Sequence, residues 1–299
     1  MLSLPVLFVS LIFTNVVLAR TNFQGVVAAN SRSGTSSYTC RTQADWNTVA
    51  NDLKNNGFKS LRILGFDCNA LDLASSSAAA AGLTVLAGIY YDLISQGPVA
   101  NNHARIDADV QTFISAVRKY GAGRYIGLTV GNEVADSPAN IMNKVNQARS
   151  TIRSAGINTP VSTVHTWVDV RANSLFCQGD FVGANAHAFF DGNFNSGQAG
   201  DFVFKTVVPS LKSVCGGKKL IITESGWPSR GNSNRLAGVS TGEERNALLN
   251  LNCACRDDTS VSVFAFEYDD QNWKPQNENE RSFGIFPKFN LNGDVFAPC

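Results

Sequence analysis

Short apolar runs recur along the chain, and each ends in polar or aromatic residues. They are Phe23 to Ala28, Ser60 to Phe66, Thr84 to Ile89, Tyr125 to Glu133, Val161 to Val164, Phe181 to Ala184, Lys219 to Glu224 and Val261 to Phe266. Runs of this length without polar alternation suit strands covered on both faces, as in a parallel sheet. Between them the spacing turns helical. Asp45 to Asn56 sets Trp46, Val49, Ala50 and Leu53 on one face and stops at Gly57, and Asn102 to Tyr120 does the same with Ile106, Val110, Phe113, Ile114 and Val117. Ser137 and Pro138 open another helix through Ile141, Val145, Ala148 and Ile152, closed by Gly156. Thr241 and Glu244 have the spacing of a capping box for the helix after the seventh run.

Eight strands alternating with helical or connecting segments, with no break in composition, predict a single (β/α)8 barrel over residues 20–299. A doubly wound open sheet is the alternative, but no glycine-rich phosphate turn follows the first run. The barrel also makes sense of the strand ends. Asp67, Tyr90-Tyr91-Asp92, Asn132-Glu133, His165-Thr166-Trp167, Asn185 to Phe190, Glu224 and Glu267 to Asp270 would all converge on one mouth.

Among these, Glu133 ends strand four and Glu224 ends strand seven, so a closed barrel brings them face to face. Such a carboxyl pair is what glycoside cleavage needs, one group to protonate the leaving oxygen and one to attack or to activate water. Asn132 stands where it could hold a sugar hydroxyl. Trp167, Phe190, Trp227 and Trp273 could stack on sugar faces, or could be core, where large aromatics are commonly buried. Asn185, Glu267 and Tyr90 could bind hydroxyls or orient Glu224. Arg62 lies inside an apolar run, and a buried Arg demands an anionic partner. Glu224 is the candidate, which would keep its pKa low.

The stretch Thr223 to Ser229 reads Thr-Glu-Ser-Gly-Trp-Pro-Ser, and Gly131 to Glu133 reads Gly-Asn-Glu. With these two motifs the chain resembles glycoside hydrolase family 17, the β-1,3-glucanase and glucanosyltransferase family. Arg62 and Asp67-Cys68 draw the likeness toward its fungal cell-wall branch. The resemblance implies Glu133 as general acid/base and Glu224 as nucleophile of a retaining double displacement on β-1,3-glucan oligo- and polysaccharides. The glucosyl-enzyme would then yield its sugar to another glucan or to water; transfer with some endo-hydrolysis is the expected balance. A plain endo-β-1,3-glucanase and a wall-binding protein without turnover are the other readings.

Composition narrows the setting. Charged residues are 16% of the chain, against about 25% in an average domain, and the formal net charge is +1. With no basic block, a nucleic-acid partner is not expected. Met1 to Ala19 carries no charged side chain, is mostly apolar from Leu4 to Leu18, and ends in Val17-Leu18-Ala19. This reads as a signal peptide cleaved before Arg20, although it lacks the usual Lys or Arg near Met1. An uncleaved anchor is the alternative, but the apolar run falls short of the ~20 residues a span needs. No apolar tail offers a lipid-anchor signal, so a secreted, extracellular or cell-wall protein without a membrane partner is expected.

The seven cysteines, Cys40, Cys68, Cys177, Cys215, Cys253, Cys255 and Cys299, are dispersed, which argues for disulfides over a zinc cluster. An odd number leaves at least one outside an internal bridge, and Cys253 and Cys255 stand too close for an easy mutual one, so different fates are expected for them. His103, His165 and His187 have no metal-binding spacing, so neither a metal nor another cofactor is expected. Glu224-Ser225-Gly226 lacks the first glycine of a nucleophile elbow, which disfavours a serine hydrolase. No Asn-X-Ser/Thr acceptor occurs, and a monomer is expected.

Overall fold

The computed structural model describes residues 21–91, 98–275, 277–296 and 299. The expected leader Met1 to Ala19 and the strand-end residue Asp92 lie outside the described residues. Parallel strands close into a barrel in chain order: β1 (Gly25–Val27), β2 (Ser60–Arg62), β3 (Thr84–Ile89), β4 (Tyr125–Asn132), β5 (Val161–Thr166), β6 (Val182–Asn185), β7 (Leu220–Ser225) and β8 (Ser262–Ala265). The eighth strand pairs back on the first, with Gly25 opposite Phe264. This is the (β/α)8 barrel that the alternating runs predict.

The strands lack polar alternation because both of their faces are covered. Val26, Val85, Ala87, Leu220 and Ile222 pack in the layer shared with the helices. Their neighbours Val27, Leu86 and Ile221 join Phe181, Phe264, Phe266 and Phe283 in a second, smaller cluster. Successive side chains on a strand point to opposite faces, so this second cluster fills the barrel interior. Each such side chain contributes roughly 1.5–3 kcal/mol through burial.

The helix Gln43–Asn55 buries the four predicted residues Trp46, Val49, Ala50 and Leu53, and Thr42 and Asp45 cap its start reciprocally. Val99–Tyr120 and Pro138–Ser154 follow the predicted spacing, the latter capped by Ser137. The capping box expected at Thr241 and Glu244 is corrected by one residue. Ser240 caps Thr241–Asp257 by accepting from Glu243 N. Glu244 is instead wholly buried, with Lys288 Nζ 2.8 Å from its carboxylate. The helix Ala70–Ala81 has no counterpart in the predicted elements. Its Ser- and Ala-rich sequence offers no contrast between faces, although alanine is the best helix former.

Disulfides join Cys40 to Cys68, Cys177 to Cys215, and Cys253 to Cys299, spanning 28, 38 and 46 residues. Loop-closure entropy puts each at roughly 3.5–4 kcal/mol. Cys255 is left as a buried thiol, so it and Cys253 do have different fates. No helix among the described residues is long and apolar enough to cross a membrane.

Candidate active site

At the end of β4 the chain leaves regular strand geometry. Its register against β5 shifts between Thr129 and Asn132. Gly131 has φ +86°, and a Cβ there would come within 2.9 Å of Val134 Cγ2 and 3.0 Å of Tyr91 Oη. Glu133 itself is left-handed at φ +52°, which costs a residue with a side chain roughly 1–2 kcal/mol. A 2.8 Å bond from Glu133 N to Val164 O helps hold the bend. Gly-Asn-Glu is therefore a turn that carries the carboxyl off the strand line and into the mouth. The other motif contains a second required glycine. A Cβ on Gly226 would lie 1.9 Å from Phe266 O, so only glycine lets the chain pass β8 immediately after Glu224 and Ser225.

A cleft of about 580 Å³ opens between these strand ends, bordered by Glu133, Glu224, Trp167, Asn185, His187 and Phe190 among others. Glu224 is 6% exposed. Arg62 Nη1 donates to its Oε1 at 2.6 Å and to Thr223 O at 3.0 Å, while Nη2 donates to Asn132 Oδ1 at 2.8 Å. Asn185 Nδ2 donates to Glu133 Oε1 at 2.7 Å and to the same Asn132 oxygen at 3.3 Å. Thr223 Oγ1 closes the circuit by donating to Asn185 Oδ1 at 2.8 Å. One network of β2, β4, β6 and β7 side chains thus holds both carboxyl groups.

The network treats the two carboxyls oppositely. Burial alone would push Glu224 up, but the Arg62 guanidinium and a bond from His187 outweigh it and hold its pKa below the ordinary range. Glu133 is raised, first by burial in the cleft and then by the neighbouring Glu224 charge; the Asn185 bond and the Arg62 charge oppose the rise without cancelling it. Glu133 keeps contact with solvent, while Glu224 is nearly sealed.

Not every sequence candidate stands at this cleft. Trp167 and Phe190 border it, Phe190 with half its surface exposed. Tyr90 is 41% exposed, but neither it nor Trp273 borders the cleft. Trp273 donates to Gln271 Oε1 at 2.6 Å and meets Tyr38 edge-on at 4.7 Å. Glu267 is wholly buried and bound to Lys274 at 2.6 Å, so it is not a hydroxyl-binding group in this arrangement. Arg62, expected among the substrate-binding residues, is 1% exposed, bonds Glu224 and Asn132, and does not border the cleft. Trp227 is corrected outright. It is fully buried, stacks edge-on against Phe189 at 5.5 Å and donates to Gly238 O at 2.9 Å. Trp227→Ala is accordingly expected to cost about 3–5 kcal/mol of stability in urea unfolding; a loss under about 1 kcal/mol would contradict this structural role.

His187 is the residue that sequence reasoning missed as part of this site. Its Nε2 lies 3.4 Å from Glu224 Oε2. The available signal was its place two residues beyond Asn185, at the end of a strand adjacent to β7.

The family model of the BtgE/BtgC glycoside hydrolase domain matches residues 29–284. The chain belongs to this family. The matched region contains both carboxyl strands, and the resemblance to family 17 is borne out by the relatives. The Probable family 17 glucosidase SCW4 of Saccharomyces cerevisiae is 31% identical over 80% of this chain and 59% of its own length. The Cell surface mannoprotein MP65 of Candida albicans is 31% identical over 77% of this chain and 59% of its own. The matched stretch spans 41% of the Probable beta-glucosidase btgE of Aspergillus fumigatus, so this chain corresponds to only part of such relatives. Among solved structures, the family 17 β-1,3-glucanosyltransferase of Rhizomucor miehei superposes with TM-score 0.72 at 19% identity, covering 88% of this chain and 92% of that one. A plant β-glucan endohydrolase gives 0.63 at 20% identity, over 88% and 96%. At such identities the likeness is one of fold, the barrel common to the BtgE/BtgC domain and these enzymes.

Proposed function

We propose that this BtgE/BtgC-family chain is a retaining enzyme of β-1,3-glucan, with Glu224 as nucleophile and Glu133 as general acid/base. The observation that carries the reading is the opposite tuning of two carboxyl groups on one cleft. Paired groups driven apart in pKa take the roles of acid and base. Ionised Glu224 attacks the anomeric carbon while protonated Glu133 gives its proton to the departing glucan oxygen. Glu133, now a carboxylate, then takes the proton of the acceptor hydroxyl as that oxygen displaces Glu224. The roughly 5 Å carboxyl spacing of retaining enzymes belongs to this reading. The substrate class draws support from the R. miehei relative, one structure of which is a complex with laminaritriose. Three disulfides and a cell-surface relative favour export, with residues 1–19 as leader and 20–299 as catalytic domain, working in the cell wall or outside it. Both carboxyls come from one chain, so a monomer suffices.

The finer choice is transfer over hydrolysis. Water competes at about 55 M, so an acceptor glucan must be held over the intermediate with a large effective concentration. Trp167 and Phe190 give the cleft an aromatic border that favours a sugar ring over water. The test is product analysis on a defined laminari-oligosaccharide at several millimolar concentrations. Products longer than the substrate are expected from wild type, and Trp167→Ala should lower the transfer-to-hydrolysis ratio about tenfold, ~1.4 kcal/mol. Shorter products alone would favour the endo-hydrolase, and no products the wall-binding protein. An unchanged ratio would remove Trp167 from the acceptor side.

A further inference from the structure

The two oxygens of Glu224 are held unequally. Oε1 receives the short 2.6 Å bond from Arg62, a guanidinium that is itself 1% exposed. Oε2 faces only the 3.4 Å contact from His187 Nε2 among the hydrogen bonds of the described residues. The His187 side chain is 9% exposed, and its other ring nitrogen, Nδ1, is buried with no hydrogen-bond partner among the described residues. Three aromatic rings surround that imidazole. Phe190, Phe266 and Phe283 stand 5.7, 5.2 and 5.5 Å away, all nearly perpendicular to it. Phe266 and Phe283 also pack on each other at 5.4 Å, so the cage is itself braced.

This surrounding chooses the tautomer. A proton on Nδ1 would be a buried donor with nothing to accept it, a loss of about 1–3 kcal/mol. It would also turn the Nε2 lone pair of a neutral ring toward a carboxylate. A proton on Nε2 alone avoids both, giving Glu224 a donor and leaving only a lone pair among the rings. We infer that His187 is a positioning residue: caged by Phe190, Phe266 and Phe283 as the Nε2–H tautomer, it donates to Glu224 Oε2 and marks that oxygen as the attacking atom. The inference rests on the retaining reading given above.

The consequence is a division of labour within one carboxylate. In the first step Oε2 forms the bond to the anomeric carbon and the glucan oxygen leaves with the proton of Glu133. Oε1 stays on Arg62 and becomes the carbonyl oxygen of the ester. In the second step the acceptor oxygen forms its bond to carbon, its proton goes to Glu133, and the electron pair of the broken C–O bond returns to Oε2. His187 Nε2–H is aimed at the charge that reappears there. Its contribution is therefore expected in turnover more than in ground-state binding.

The side-chain amides of Gln and Asn separate this from simple packing. In His187→Gln the amide nitrogen can occupy the Nε2 position and donate, while in His187→Asn it reaches only the Nδ1 position. On laminari-oligosaccharides, His187→Asn and His187→Ala are expected to lose about a hundredfold in kcat with little change in KM, and His187→Gln to return within about tenfold of wild type. Thermal melts check that all three fold. ¹⁵N NMR of the wild-type protein should find His187 protonated at Nε2 and bare at Nδ1. Equal activity of the Gln and Asn variants, or a proton on Nδ1, would overturn the inference. The NMR reading does not depend on turnover, so wild type inactive on glucans would count against the proposed function while the tautomer is still judged.

Discussion

Glu224→Gln is expected to lose about a thousandfold or more in kcat on laminari-oligosaccharides, at least ~4 kcal/mol in the barrier, with the fold intact. Glu133→Gln should lose as much on the same substrates, because an amide can neither give up the proton nor take it back. The two losses part company when the leaving group changes. Fluoride departs from β-glucosyl fluoride without protonation, so Glu133→Gln should still form the glucosyl-enzyme from it, while Glu224→Gln should not. The pH profiles follow from the opposite tuning. Glu224 works ionised and its pKa is held low, so wild-type activity falls only on strong acidification. Glu133 works protonated and its pKa is raised, so the alkaline limb lies above the ordinary carboxylate range. With the fluoride, Glu133→Gln should lose the alkaline limb of the glycosylation step and keep the acid one. Restored glycosylation in Glu224→Gln but not in Glu133→Gln would exchange the two roles. Either variant keeping about a third of wild-type turnover on the oligosaccharides, a loss well under 1 kcal/mol, would remove that residue from the chemistry.

The barrel was legible because its strands are buried on both faces and so stand out as continuous apolar runs. Strand ends were legible too, since polar residues gather where those runs stop. Helices were read where one face contrasts with the other, as in Trp46, Val49, Ala50 and Leu53. Ala70–Ala81 has no such contrast, and it follows two left-handed residues, Cys68 and Asn69, that no hydrophobic period announces. The site was legible only as a set of residue types. Trp227 and Trp167 look alike in sequence, but one is sealed beneath Phe189 and the Gly238 carbonyl while the other borders the cleft. That difference is set by short helices that begin at Trp167 and Ala188 and by the loop after β7, all too short or irregular to carry a period. The Arg62–Glu224 pair followed from a general rule about buried cations. The second hand of Arg62, on Asn132, did not, because it depends on the shifted register at the end of β4.

That second hand makes Arg62 the substitution with the widest expected consequences. Arg62→Met removes the charge beside Glu224, the donor to Thr223 O and the donor to Asn132 Oδ1 together. Breaking a buried pair while leaving one charge inside costs about 3–5 kcal/mol, and denaturant unfolding near neutral pH should read a loss of that size. Acid should then affect the two proteins oppositely. In wild type the folded-state pKa of Glu224 lies below its unfolded value, so its stabilising contribution is present above the unfolded pKa of about 4.3 and is lost as pH falls through the folded one. In the variant burial acts unopposed by Arg62 and raises the folded pKa, so the penalty is absent below about pH 4.3 and grows as pH rises through the folded value. The stability gap between the two should therefore narrow on acidification. Activity should follow, with the acid limb of kcat/KM displaced to higher pH and the plateau lowered about a hundredfold. Arg62→Lys separates the two hands. A lysine keeps a charge near Glu224 but has no planar fork to reach Asn132 at the same time. It is expected to bring the acid limb back toward wild type while kcat stays depressed, because the Asn132 oxygen then keeps only the 3.3 Å bond from Asn185. A lysine variant that recovers both the limb and full turnover would mean that the Asn132 contact contributes nothing to catalysis. A methionine variant with an unmoved acid limb would mean that Arg62 does not set the charge of Glu224.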